Sequence, residues 1–194
     1  MSTIKKIAIF ASGEGTNFTA LCQAFDREKI PVKVTLLVCD HQNVNVLKRA
    51  RKEQVPSLVI NFKDYANKAA AEAAIIKRLT VEQIDFILLA GYMRIVGPTL
   101  LGKYAGKIIN IHPALLPNFP GRHGIEDAYQ AGVSETGVTI HWVDEGIDSG
   151  QIIAQRKIPI YKTDKLENLE QRIHQTEHIF YPLIVKKLLE KGEF

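Results

Sequence analysis

A chain of 194 residues, 46% hydrophobic and 24% charged, carries enough apolar surface for one well-packed domain, expected to span residues 1–194. Its net charge of +4 comes from Lys and Arg scattered among acids, which argues against a nucleic-acid partner and for a mild attraction of small anions. Two cysteines are too few for a disulfide framework, and no apolar run is long enough to cross a bilayer. The short apolar run near the start leads into glycines rather than a cleavage site, so the expected compartment is the cytoplasm.

In chain order, residues 6–11 read as a β-branched strand, followed by the tight loop Ser12-Gly13-Glu14-Gly15-Thr16-Asn17 and a helix with Phe18, Leu21, Cys22 and Phe25 on one face. Residues 32–39 predict a second strand, 43–54 a helix, 57–61 a strand, and the alanine-rich stretch 65–79 another helix. Residues 86–90 and 107–111 complete five strands whose runs are apolar on both faces. Strand, helix and strand at this spacing predict an α/β fold: a three-layer, Rossmann-like, mostly parallel sheet flanked by helices. The second half changes character. Residues 137–143 alternate as Gly-Val-Thr-Ile-His-Trp-Val and 151–160 follow a glycine-containing turn, so a strand pair, read as antiparallel, is expected beside the sheet. Residues 164–191 read as a final helical segment that Pro182 should kink or break.

The stretch with the most chemistry is KIINIHPALLPNFP, residues 107–120. Asn110 and His112 are two apart and share one face of a strand that Pro113 ends. A carboxamide beside an imidazole can stabilise the oxyanion of an acyl-transfer intermediate. The same pair can also do no more than satisfy a turn. Leu115, Leu116 and Phe119 then lie in a proline-punctuated loop and look exposed, an arrangement that suits a loop covering a ligand or packing on a neighbour.

Three further segments carry candidate residues. Gly13 and Gly15 let the chain turn tightly before a helix whose free N–H groups attract phosphate, although Thr16 or Asn17 acting as a helix cap explains the same residues. Ala90-Gly91-Tyr92-Met93-Arg94-Ile95-Val96 follows the fourth strand. There Met93, Ile95 and Val96 suit an apolar slot for a flat ring, or core packing, and Arg94 suits a surface charge. In Asp144-Glu145-Gly146-Ile147-Asp148-Ser149-Gly150, glycines flanking Asp148 would let its carboxylate reach His112 and hold the imidazole protonated. The run lacks the full calcium loop, and His174 and His178 at i,i+4 lack an accompanying acid pattern, so no metal is expected.

SGEGTNF at 12–18, LLAGYMRIV at 88–96, NIHPALLPNFPG at 110–121, TGVTIHWVDEGIDSGQII at 136–153 and QTEHIFYP at 175–182 occur in this order. In them the chain resembles the phosphoribosylglycinamide formyltransferases, a group within the folate-dependent formyltransferases. The resemblance implies transfer of a formyl group from 10-formyltetrahydrofolate, the co-substrate, to the amine of glycinamide ribonucleotide in purine synthesis. It implies a catalytic set of Asn110, His112 and Asp148, and a ribonucleotide site at Gly15, Thr16, Asn17 and Glu177. The folate is implied at Met93, Arg94, Ile95 and Val96, at Asn110, and at Asp144, Glu145, Gly146, Ile147 and Asp148, with Lys68 standing nearest to an arginine that contacts the folate tail in relatives. Ala114 and Gln151 depart from the Ser and Pro that relatives often carry. Formyltetrahydrofolate hydrolases share the same Asn-His-Asp set but carry an extra regulatory domain. Methionyl-tRNA formyltransferases share it too and usually carry an added C-terminal domain; a non-catalytic Rossmann-type module would explain only the glycine loop and the sheet. Small molecules are the expected partners, and monomer and homodimer both fit.

Overall fold

The computed structural model describes residues 4–194 and contains a seven-stranded sheet in the order β3-β2-β1-β4-β5-β6-β7. The strands are β1 (Lys5–Phe10), β2 (Val32–Cys39), β3 (Ser57–Val59), β4 (Phe86–Leu89), β5 (Ile108–His112), β6 (Glu135–Trp142) and β7 (Ile152–Pro159). The first five run parallel, while β6 pairs antiparallel with β5 and β7 antiparallel with β6, as expected. Helices α1 (Thr16–Arg27), α2 (Asn45–Lys52), α3 (Lys68–Val81), α4 (Pro98–Lys103), α5 (Gly124–Gln130) and α6 (Leu166–Glu190) provide the crossovers and the covering layers.

Successive strand residues point to opposite faces, and both faces of β1 are apolar. Ile7 and Ile9 join a core with Phe18, Leu21 and Phe25 of α1 and Ile173, Phe180, Val185 and Leu188 of α6. Ala8 and Phe10 join the opposite core with Ala71, Ile75 and Leu79 of α3 and Leu100 and Leu101 of α4. The sheet is therefore covered on both sides. At its outer edge β7 exposes Gln155, Arg156 and Lys157 in succession, and the two charges discourage pairing with another chain.

Several expectations are corrected. The helix expected from residue 65 starts at Lys68, because Asn67 caps it by accepting Ala70 N–H at 2.9 Å, and a 3-10 turn (Phe62–Asp64) precedes it. The short helices α4 and α5 had no periodic signal in the sequence. Pro182 does not break α6, which runs unbroken for 25 residues. An internal proline costs about 3 kcal/mol through its missing N–H and a ring clash, but Pro182 and its neighbours Phe180, Tyr181, Ile184 and Val185 are all buried against the sheet, and that packing outweighs the cost. Leu116 is buried and Leu115 and Phe119 are half-buried, so the loop after β5 packs on a neighbour. Thr139 and Gln155 hold it: Leu116 N donates to Thr139 Oγ1 at 3.1 Å, that hydroxyl donates to Ala114 O at 2.7 Å, and Gln155 Nε2 donates to Leu116 O at 2.8 Å.

Tyr181 ties α6 to the sheet. Its fully buried hydroxyl lies 3.1 Å from both Leu89 O, at the carboxyl end of β4, and Ile109 O, near the start of β5. Tyr181→Phe should lower the free energy of unfolding by about 1–2 kcal/mol, because the single buried O–H shared between two sheet carbonyls is lost. Urea titration followed by circular dichroism should show a lower midpoint with an unchanged slope.

Candidate functional site

Strand order decides where a ligand can bind. β1 has β2 on one side and β4 on the other, so the chain winds in opposite directions from this point and leaves a crevice at the carboxyl ends of β1, β4 and β5. A cleft of about 430 Å³ occupies it, lined by the loops that follow those strands, by the β6–β7 connection and by α6.

On one side lies the glycine loop. Gly15 has φ 74°, and a Cβ there would stand 2.5 Å from Val46 Cγ2, so only glycine allows both the left-handed turn and the contact with α2. Neither Thr16 nor Asn17 caps α1, whose start has no side-chain cap, so its first N–H groups face the cleft mouth without a side-chain acceptor. Asn17 Nδ2 instead donates to Glu177 Oε2 at 3.0 Å, and His174 Nδ1 donates to the same oxygen at 2.9 Å. Asn17 Oδ1 is buried with no partner.

On the other side, the loop after β4 is pinned by three buried polar groups on three other segments. Ser12 Oγ accepts Met93 N–H at 2.9 Å, Asp40 accepts Arg94 Nε at 2.7 Å, and Glu72 accepts Gly97 N–H at 2.6 Å and Leu100 N–H at 3.1 Å, capping α4 from α3. Arg94 is therefore no free surface charge: it is half-buried, stacks 4.2 Å from the Phe62 ring centroid and lines the cleft. Of the apolar residues proposed for a slot, Val96 is buried, whereas Met93 and Ile95, with Ile147 across the cleft, keep about half their surface open to it (46%, 53% and 58%). Lys68, exposed at the start of α3, and Glu145 lie outside the lining.

The floor brings together the three residues singled out for acyl chemistry. His112 Nδ1 lies 3.3 Å from Asp148 Oδ2, and Asn110 Nδ2 lies 3.4 Å from Asp148 Oδ1. The fourth member, His141 on β6, is paired with Asn110 in the sheet: its Nε2 is 3.2 Å from Asn110 Nδ2 and 3.6 Å from Asp148 Oδ1. Sequence reasoning missed His141 because it looks for ligand spacing along the chain, although the alternation of β6 already aligned it with the strand's other inward residues. His174 and Arg122 also line the cleft without having been singled out for it.

Asp148 reaches His112 by a different means from the one expected. Asp148 itself adopts φ 50°, and the flanking glycines serve close approach: a Cβ on Gly150 would stand 1.7 Å from Trp142 O, and one on Gly146 would meet Ser149 Oγ. Gly121 N donates to Asp148 Oδ2 at 2.8 Å, which fastens the loop after β5 to the same carboxylate.

The charge state of His112 also differs from expectation. Its imidazole is 3% exposed, and burial pushes its pKa below the ordinary histidine value, exceeding the attraction of Asp148 and the hydrogen bond to Phe119 O at 2.8 Å. That carbonyl only accepts, so Nε2 carries a proton. Burial alone would raise Asp148, but His141, Gly121 N–H and His112 together hold its carboxyl below the usual range. A lowered histidine pKa means that the unfolded chain binds more protons near the ordinary value, so His112 contributes stability at neutral pH that is lost as pH falls through about 6.5. Removing the neighbouring anion should lower His112 further. In Asp148→Asn the His112 ring resonances should titrate at lower pH than in the parent, which an NMR titration would read directly.

Open doubly wound sheet, switch-point cleft and buried acid–base groups on its floor describe an α/β protein that acts on small molecules. The sequence model of the formyl transferase family matches residues 5–185. The chain is 50% identical over 186 residues to phosphoribosylglycinamide formyltransferase of Bacillus subtilis (strain 168), covering 96% of this chain and 95% of that one. The crystal structure of phosphoribosylglycinamide formyltransferase from Bacillus halodurans superposes with a TM-score of 0.94 at 49% identity, covering 97% of each chain. That of glycinamide ribonucleotide transformylase 1 from Geobacillus kaustophilus gives 0.93 at 55% identity, covering 96% of this chain and 99% of that one. The chain belongs to the formyl transferase family, and it is an enzyme of that family.

Proposed function

We propose that this enzyme transfers the formyl group of 10-formyltetrahydrofolate to the amine of glycinamide ribonucleotide, with Asn110, His112 and Asp148 as catalytic residues. The observation that carries the reading is the meeting of a carboxamide, two imidazoles and a carboxylate around Asp148, beside a glycine loop on one side and an apolar slot on the other. Two anionic substrates can then enter from opposite ends of one cleft and meet above the floor.

The phosphate of the ribonucleotide sits at Gly15, Thr16 and Asn17, where an uncapped helix start offers N–H groups and a positive dipole end, and Glu177 faces the ribose. The pterin lies between Met93, Arg94, Ile95 and Val96 and the loop Asp144, Gly146, Ile147 and Asp148, whose backbone groups read its edge. Glu145 and Lys68 act further out, on the folate tail. No resident metal takes part. The protein works as a single domain on small molecules, without nucleic acid or membrane, as monomer or homodimer, in the cytoplasm. Two free thiols, one of them (Cys22) pushed up to about 12 by burial, suit a reducing compartment.

The substrate's neutral amine attacks the formyl carbon, giving a tetrahedral adduct with a positive nitrogen and an oxyanion. Asn110 and His112 hydrogen-bond the oxyanion. The 3.4 Å contact from Asn110 Nδ2 to Asp148 is long, so that N–H is readily redirected. Because Nε2–H is held by Phe119 O, His112 bonds the oxyanion through Nδ1 in the molecules that enter the reaction with that nitrogen protonated, a fraction that burial lowers and the developing negative charge favours. Asp148 accepts the proton lost by the attacking nitrogen and passes it, directly or through water, to the folate nitrogen as the carbon–nitrogen bond breaks. The products are the N-formylated ribonucleotide and tetrahydrofolate.

Supplying 10-formyltetrahydrofolate with and without glycinamide ribonucleotide tests the reading, since tetrahydrofolate should appear only with the amine. Amine-independent release would identify a hydrolase, and none at all a binding module. Asp148→Asn should lower kcat by about two orders of magnitude or more while changing either substrate's Kd by less than about threefold, because the charge acts mainly in the transition state. Asn17→Ala should raise KM for the ribonucleotide and leave folate affinity unchanged, as separate titrations of the two ligands would show.

A further inference from the structure

His174 lines the cleft one turn of α6 before Glu177. The Glu177 carboxylate, 4% exposed, is gripped from two elements: Oε2 accepts both His174 Nδ1 at 2.9 Å and Asn17 Nδ2 at 3.0 Å. Because a carboxylate accepts only, the ring must carry its hydrogen on Nδ1. Nε2 is therefore the one ring nitrogen left for a ligand. In the neutral ring it is an acceptor, and in the charged ring a donor. A dianionic phosphate, which has no hydrogen to donate, can bond to it only when the ring is charged.

We propose that His174, oriented by Glu177, makes binding of the ribonucleotide proton-dependent: its imidazolium donates Nε2–H to the phosphate seated at the start of α1, and neutralisation of the ring removes that contact. The inference rests on the reading that the phosphate occupies the glycine loop. Asn17 Oδ1 is buried without a partner among the described residues, so Asn17 is held in this corner by its Nδ2–H bond to Glu177 alone.

The charged groups around the ring favour its cationic form over a useful range. On α6, Glu177 does so first through its hydrogen bond and then by charge, against the cost of burial, with Glu170 adding to it. His178, one turn on, feels His174 as an opposing charge and Arg49 of α2 as another. In the glycine loop, Glu14 is already engaged by Asn45 Nδ2 at 3.0 Å, and on β5 His112 lies near enough for Glu177 to act on it. The balance lifts His174 above the ordinary histidine value, so its charge survives past pH 6.5 and is lost as pH climbs through the raised value.

The test compares the parent with His174→Lys, whose charge is permanent in this range, and His174→Gln, which has none. Calorimetry would give the Kd of glycinamide ribonucleotide between about pH 6.5 and about pH 8.5. Comparing variants at each pH cancels titration of the substrate's own amine and phosphate, and an unchanged folate Kd reports an intact cleft. The parent should bind like the Lys variant at the acid end and converge on the Gln variant, about tenfold weaker, at the alkaline end. A parent curve parallel to that of the Gln variant, or to that of the Lys variant, throughout would overturn the proposal. Ribonucleotide that fails to bind the parent at any pH would overturn the functional reading along with it, whereas binding without formyl transfer would overturn that reading alone.

Discussion

A carboxylate drawn partly out of water between two imidazoles is the interaction on which the cleft depends. Asp148 meets His112 at 3.3 Å, His141 at 3.6 Å, Asn110 at 3.4 Å and Gly121 N–H at 2.8 Å, so one side chain joins β5, β6, the loop after β5 and the β6–β7 connection. A charge in such a place is tolerable only if each of its lone pairs is satisfied. That requirement is why the surrounding backbone accepts a left-handed Asp148 and a Gly150 that touches Trp142 O. Local strain is offset by two hydrogen bonds, from Asn110 and Gly121 N–H, and by two imidazoles within ion-pair distance.

The same economy governs the walls. The loop after β4 contains no regular structure between β4 and α4, yet it is held by Ser12 from β1's end, Asp40 from β2's end and Glu72 from α3. All three are at most 5% exposed, so losing any one would strand a buried donor or acceptor. A loop fixed at three points can present Met93 and Ile95 to the cleft without letting them collapse into the core. On the opposite side the loop is fixed by Gly15 against Val46, and Asn17 and Glu177 bridge α1 to α6. Both sides therefore keep their shape by contacts distant in sequence, which is what a cleft for two different ligands requires.

Legibility followed interaction range. The strands were readable because parallel strands buried on both faces give unbroken apolar runs, and the early helices because one stripe packs on the sheet. Asn110 and His112 were readable as neighbours because period two is a local property of a strand. Glu72 was read only as part of a helix, and its role as a cap for α4 depends on a contact with Gly97 that no local pattern encodes. His141 was passed over for the same reason: its meaning lies in being opposite Asn110 across a ladder.

Fold class, strand count, the antiparallel pair and the chemical types gathered on the floor of the cleft followed from sequence alone, because backbone geometry and side-chain burial repeat with periods that a linear pattern displays. Tertiary structure decided whether Pro182 would break α6, whether Leu116 would face solvent, and what charge His112 would carry. Each of these depends on the balance between burial and partners supplied by remote segments. Desolvation and long-range packing are sums over neighbours in space, and a sequence does not display which neighbours those are.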